Sequence, residues 1–143
     1  MDAQSIFDTV CRHLIIQGQR AATSTGACRY RAKDHEGVVL KCAVGVLIPD
    51  AEYQPWMDDT GPITSVLNRA RETPRHMTPT LALLDPHEKV LLRLQETHDD
   101  DDWGEDNMFL RLGLRGIAPQ FGLSIDVLVA AEKEKGLPVL AGE

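Results

Sequence analysis

Nothing in this sequence announces a reaction. There is no Ser-centred nucleophile elbow, no Walker loop, no Rossmann glycine fingerprint and no zincin helix. An enzymatic reading therefore has no residues to stand on, and the expectation is a protein without catalytic activity. No apolar run approaches the roughly 18 residues that a membrane span needs, and no apolar h-region follows a basic start. Cysteine is scarce: three residues, an odd number. Together these absences point to a soluble cytosolic protein with reduced thiols and no membrane partner. Internal repeats are missing too, and only the run Asp99-Asp100-Asp101-Asp102 is low in complexity.

What is present is enough for one ordinary domain, since 143 residues at 43% hydrophobic can bury a core. The formal net charge of -7 disfavours a nucleic-acid polymer or an anionic membrane as partner. That charge is uneven. Residues 1–45 carry six basic side chains (Arg12, Arg20, Arg29, Arg31, Lys33, Lys41) against four acidic ones, a net of +2, so the other 98 residues carry -9. A local anion site is compatible with such a chain.

Periodicity predicts an α+β fold, a small β-hairpin packed with about five helices in a single compact domain. Ile6, Val10 and Leu14, widened by Phe7 and Ile15, mark a first helix with Ser5 as its cap. Residues 21–26 read as a loop. A hairpin follows, with one strand over 28–31, a polar turn over 33–37 and a return strand over 38–41. Residues 42–48 are apolar throughout, which leaves buried strand and buried helical turn both open. Pro49-Asp50 is a turn, or Asp50 caps a short helix holding Tyr53 and limited by Pro55. Ile63, Val66, Leu67 and Ala70 share a helix face, and 71–79 is a loop. Helices follow over about 86–98, capped by Asp85, from about Glu105 to Gly122, and from a Ser124 cap to 135–136. The globular unit spans 1–136, and 137–143 is a flexible tail.

Cationic and aromatic side chains concentrate between Cys28 and Trp56. Period two places Arg29 and Arg31 on one strand face, with Lys41 able to join them depending on register. Guanidinium forks bind phosphates bidentately, and Tyr30, Tyr53 or Trp56 offers a ring nearby, so a small nucleotide is a sensible ligand. The bland alternative is a solvated hairpin face paired with neighbouring carboxylates. His13, Cys28, His35 and Cys42 are residue types zinc prefers, but their spacing does not match a zinc motif, and neither metal nor cofactor is expected. The acid-rich stretch 98–106 reads as a hydrated interhelical loop; the sharper alternatives are a divalent metal site or a pair of acid-base carboxylates, and a surface that imitates nucleic acid for a host protein.

The order Phe7…His13-Leu14…Gln17, then Cys28-Arg29-Tyr30-Arg31, then Lys41-Cys42-Ala43-Val44-Gly45-Val46-Leu47-Ile48-Pro49-Asp50…Tyr53 resembles small uncharacterised proteins of tailed phages and prophages. Leu94-Gln95…His98-Asp99, Trp103 and Phe121-Gly122-Leu123 extend the resemblance, which fades after Ser124. It implies a phage setting, in which a small protein without an enzyme signature blunts host defence. The expectation is a homo-oligomeric protein of the host bacterial cytosol that sequesters a nucleotide second messenger of the cyclic ADP-ribose or cyclic dinucleotide type. Arg29, Arg31 and Lys41 would hold the phosphates, Tyr53 or Trp56 would stack on the base, and Asp50 would accept a hydrogen bond. A host protein gripped by the acidic C-terminal two-thirds is the alternative partner, and a nucleotide-cleaving hydrolase a third.

Overall fold

The first apolar stripe forms helix α1 (Ala3–Gln17), and Ile6, Phe7, Val10, Leu14 and Ile15 are all fully buried on it. Its cap is Asp2, not Ser5: the Asp2 carboxylate accepts the Ser5 backbone N–H at 2.8 Å. A carboxylate serves better there, because it meets both the orphan donor and the positive end of the helix dipole. The computed structural model describes residues 1–23, 26–138 and 140, and it is α+β, with helices around one core and a two-stranded antiparallel sheet.

The sheet pairs β1 (Arg31–Lys33) with β2 (Val39–Lys41), setting Arg31 opposite Lys41. The return strand lies where its pattern predicts. The first strand starts three residues later than expected, because Tyr30 is pulled aside. Its N–H donates to Asp58 at 2.6 Å, its hydroxyl to the Gly61 carbonyl at 2.6 Å, and Cys28 bridges back to Ala22. The Asp34 carboxylate closes the turn by accepting from the Glu36 and Val38 N–H groups at 2.8 and 2.9 Å.

Residues 42–48 resolve as a buried turn, with one 3-10 segment at Gly45–Leu47. Glycine is required at its start, since a β-carbon on Gly45 would lie 2.2 Å from the Tyr30 carbonyl oxygen. The helix beyond does not hold Tyr53. Helix α2 (Pro55–Thr60) begins at Pro55, whose fixed φ suits a first turn, and Asp50 caps nothing. Helix α3 (Ile63–Glu72) buries the four apolar residues its spacing selects. The predicted loop over 71–79 holds a 3-10 turn, Pro74–His76, and ends in a short helix, α4 (Pro79–Leu84), capped by Thr78.

Asp85 is not a cap either. It sits in helical backbone and binds Arg71, while α5 (Glu88–Asp99) runs on to the acidic loop. Helix α6 (Met108–Gln120) and helix α7 (Asp126–Lys135) complete the chain, with the Ser124 hydroxyl accepting the Asp126 N–H at 3.1 Å. The helices are more numerous and shorter than predicted, because Pro55 and Pro79 each start one.

Between α6 and α7 lies a buried ionic cluster. Arg111, 0% exposed, donates from Nε to Glu132 at 2.5 Å, and Arg115 donates to the other carboxylate oxygen at 2.5 Å. Burial opposes ionisation of Glu132, but the two guanidinium groups outweigh it and hold its pKa below the usual range. Arg111 also binds the Pro138 carbonyl, and Leu140 is buried. The rest of the segment read as a tail, 139 and 141–143, lies outside the described residues, as do 24–25 of the loop. No helix among the described residues is long and apolar enough to cross a membrane.

Candidate functional site

Register brings four of the sequence-predicted residues together. Arg31 and Lys41, cross-strand partners, both reach the exposed Asp50 carboxylate, at 3.1 and 3.4 Å, and the Arg31 guanidinium lies 4.7 Å above the Tyr53 ring. This cluster is engaged with itself. Arg31 donates further to the carbonyls of Gly45 at 2.7 Å and Ile48 at 2.5 Å, and its side chain is only 10% exposed. Its fork holds the hairpin to the buried turn, and the two cations hold Asp50 well ionised. The Tyr53 hydroxyl donates to Asp58. Burial and that acceptor push its pKa up to about 12.

Tyr30 is a core residue. Trp56 points elsewhere: it stacks on His76 at 4.6 Å, with Arg69 5.2 Å from its ring. Arg29 is different again. Its backbone N–H binds the Ala21 carbonyl, but its guanidinium makes no ion pair among the described residues, and neither does Lys33. These two, with Arg20, line an open groove of about 820 Å³ whose walls include Gln19, Thr23 and Asp58. Arg20 is partly occupied, 3.2 Å from the Cys28 sulfur and 3.5 Å from Asp101. Spacing alone did not select Arg20 and Lys33. The signal for them was the positive balance of residues 1–45.

The groove shares Arg29 and Asp58 with a smaller cavity of about 220 Å³, whose other walls include Cys28, Tyr30, Gly61, Gln95 and Asp99. Behind it runs a hydrogen-bonded chain. The Ala21 N–H donates to Nε2 of the fully buried His98 at 3.0 Å, so that nitrogen carries the lone pair and Nδ1 carries the proton. Nδ1 then donates to Asp99 at 2.8 Å, and Gln95 donates to the same carboxylate oxygen at 2.7 Å. Burial works against ionisation of Asp99, yet these donors hold its pKa below the ordinary value.

Cys28, His98 and Asp99 each bring a ligand atom within 4.8 Å of the others, the one such group among the described residues. The donor set does not suit a metal. Binding through Nδ1 would move the proton to Nε2 and set two N–H groups against each other at Ala21. Nor is Cys28 poised as a nucleophile: burial, then Asp99, raises its pKa and keeps it a thiol. Cys11, Cys28 and Cys42 are all free thiols.

No protein-family model, no curated protein and no solved structure matches this chain. The functional reading rests on the groove and its chemistry.

Proposed function

We propose that this protein is a non-catalytic phage accessory factor that captures a phosphorylated nucleotide signal, of the cyclic ADP-ribose or cyclic dinucleotide type, in the host cytosol. The observation that carries the reading is the pair of unpaired cations, Arg29 and Lys33, beside Arg20 in one groove of a chain with net charge -7. An acidic protein that leaves two cations unpartnered in a concavity keeps a place for an anion. Of the braced set only Arg31 reaches the groove wall, while Lys41, Asp50 and Tyr53 line a separate cavity that shares Arg31 and Lys33 with it. Absence of turnover is supported by the protonated thiol of Cys28 and by His98 Nε2, already held by a backbone donor. Sequestration demands slow release, and a groove this open buries more of its guest when a second subunit covers it, so the active form is a homo-oligomer.

Isothermal titration with cyclic ADP-ribose and with cyclic dinucleotides tests the reading. Heat with at least one of them is expected, with affinity falling tenfold or more in Arg29→Ala, and ligand recovered intact on denaturing the protein. No heat with any of them, or binding indifferent to both Arg29→Ala and Lys33→Ala, removes it. Altered ligand would turn the reading to a hydrolase.

A second reading has its own observation. Asp100, Asp102, Glu105 and Asp106 make no ion pair among the described residues, and Phe109 and Leu112 beside them on α6 are 56% and 51% exposed. An acid-rimmed apolar face suits a basic host protein. Stoichiometric capture of one host protein, lost in Asp100→Asn with Asp102→Asn while nucleotide titration is unchanged, would favour this reading over the first.

A further inference from the structure

The small cavity that continues the groove is unequal in its hydrogen-bonding groups. Its side-chain donors, Arg29 apart, are engaged: the Tyr30 hydroxyl on Gly61, the Gln95 amide on Asp99, and the Cys28 thiol facing Asp99. Its acceptors are not. An ionised carboxylate offers about four lone-pair positions. Asp99 receives His98 and Gln95 on Oδ1 and the Cys28 thiol as a third donor, which leaves it one position. Asp58 receives the Tyr30 N–H on one oxygen and the Tyr53 hydroxyl on the other, and each oxygen keeps a lone pair. Two carboxylates with open acceptor positions thus face one cavity, and the unpaired guanidinium of Arg29 stands where that cavity joins the cationic groove.

We infer that the small cavity is a base-recognition pocket for a guanine nucleotide. Resting on the capture reading above, this inference names the guest that its site selects. The diphosphate or phosphodiester lies on Arg20, Arg29 and Lys33, and the base enters past Arg29 toward Asp58 and Asp99. Guanine presents N1–H and N2–H₂ side by side, a donor pair that Asp58, with a position open on each oxygen, accepts in parallel, and the second N2–H reaches the remaining position of Asp99. Uracil presents two carbonyl oxygens flanking one N–H, and those oxygens meet carboxylates with no donor between them. Leaving such groups unmatched is what makes hydrogen-bonding sites discriminate strongly. At about 220 Å³ the cavity is below the range of drug-sized pockets and suits a single base. The chemistry selects a guanine-bearing signal over a uracil-bearing one.

The test is isothermal titration of the full chain with GDP, UDP and inorganic pyrophosphate. GDP is expected to bind at least tenfold more tightly than UDP or pyrophosphate, and Asp99→Asn to bring GDP down to the level of UDP without changing pyrophosphate. The Asn carbonyl still accepts from His98 and Gln95, and a thermal melt checks that the fold is kept. Asp58→Asn serves as a second variant, with the same expected loss of preference. If UDP and pyrophosphate bind as tightly as GDP, the base pocket is overturned while anion capture stands. If none of the three binds, and the cyclic nucleotides do not either, both fall together.

Discussion

Two arginine sites in this molecule are built in opposite ways. Between α6 and α7, Arg111 and Arg115 converge on one buried carboxylate, Glu132, and the cluster is closed to solvent. In the hairpin groove, whose walls also include Asp34 and Asp58, Arg29 and Lys33 make no ion pair among the described residues. The first arrangement is structural, because a guanidinium taken out of water must have its partner inside the protein. The second leaves cations half in water, where they cost the fold little and where the proposed anion would meet them. Arg31 lies between the extremes, on the groove side of the molecule but tied into the core.

The comparison breaks most visibly at Glu132. Glu132→Ala leaves two guanidinium groups without their carboxylate, and a loss of about 3–5 kcal/mol is expected in urea unfolding. A loss below about 1 kcal/mol would mean that the cluster is not the closed unit described. Next comes Arg31→Ala, which strips donors from two backbone carbonyls and should cost about 1–3 kcal/mol by the same measurement. Arg29→Ala should do the reverse, leaving unfolding within about 0.5 kcal/mol while anion affinity falls tenfold, about 1.4 kcal/mol. Equal effects of Arg29→Ala and Arg31→Ala on stability would erase the distinction between brace and ligand.

The smallest effect sharpens the contrast through pH. Burial lowers the pKa of His13 below the ordinary imidazole value of about 6.5, while its Nε2 bonds the Lys41 carbonyl at 2.8 Å. The unfolded chain therefore binds a proton before the folded one does, so stability present above pH 6.5 declines as pH falls through the window beneath it. His13→Gln should flatten that decline between pH 7 and the folded pKa. An unchanged slope would assign the decline to other groups.

Legibility followed sequence separation. Helix α1, the return strand and the buried face of α3 were readable because each is set by its own period. The first strand slipped because Tyr30 answers to Asp58, 28 residues away, which no local pattern reveals. Residues 42–48 were ambiguous for a related reason: an all-apolar run records burial but not backbone shape, and Gly45 takes its role from contact with Tyr30. Of the candidate site, Arg31, Lys41, Asp50 and Tyr53 do meet, although what they do to one another, the two cations sharing the one carboxylate of Asp50, depends on register. Trp56 was grouped by proximity in sequence and turns instead to His76. The chain from Ala21 through His98 to Asp99 spans 77 residues at its first link and left no trace in spacing.

The missing side chain at Gly45 has a consequence for motion. With the Tyr30 carbonyl seated where a β-carbon would be, and Arg31 fastened to the same turn, one jaw of the groove is riveted to the interior. Such a jaw does not clamp. For the proposed nucleotide, stopped-flow binding is expected in a single phase without a slow closing step.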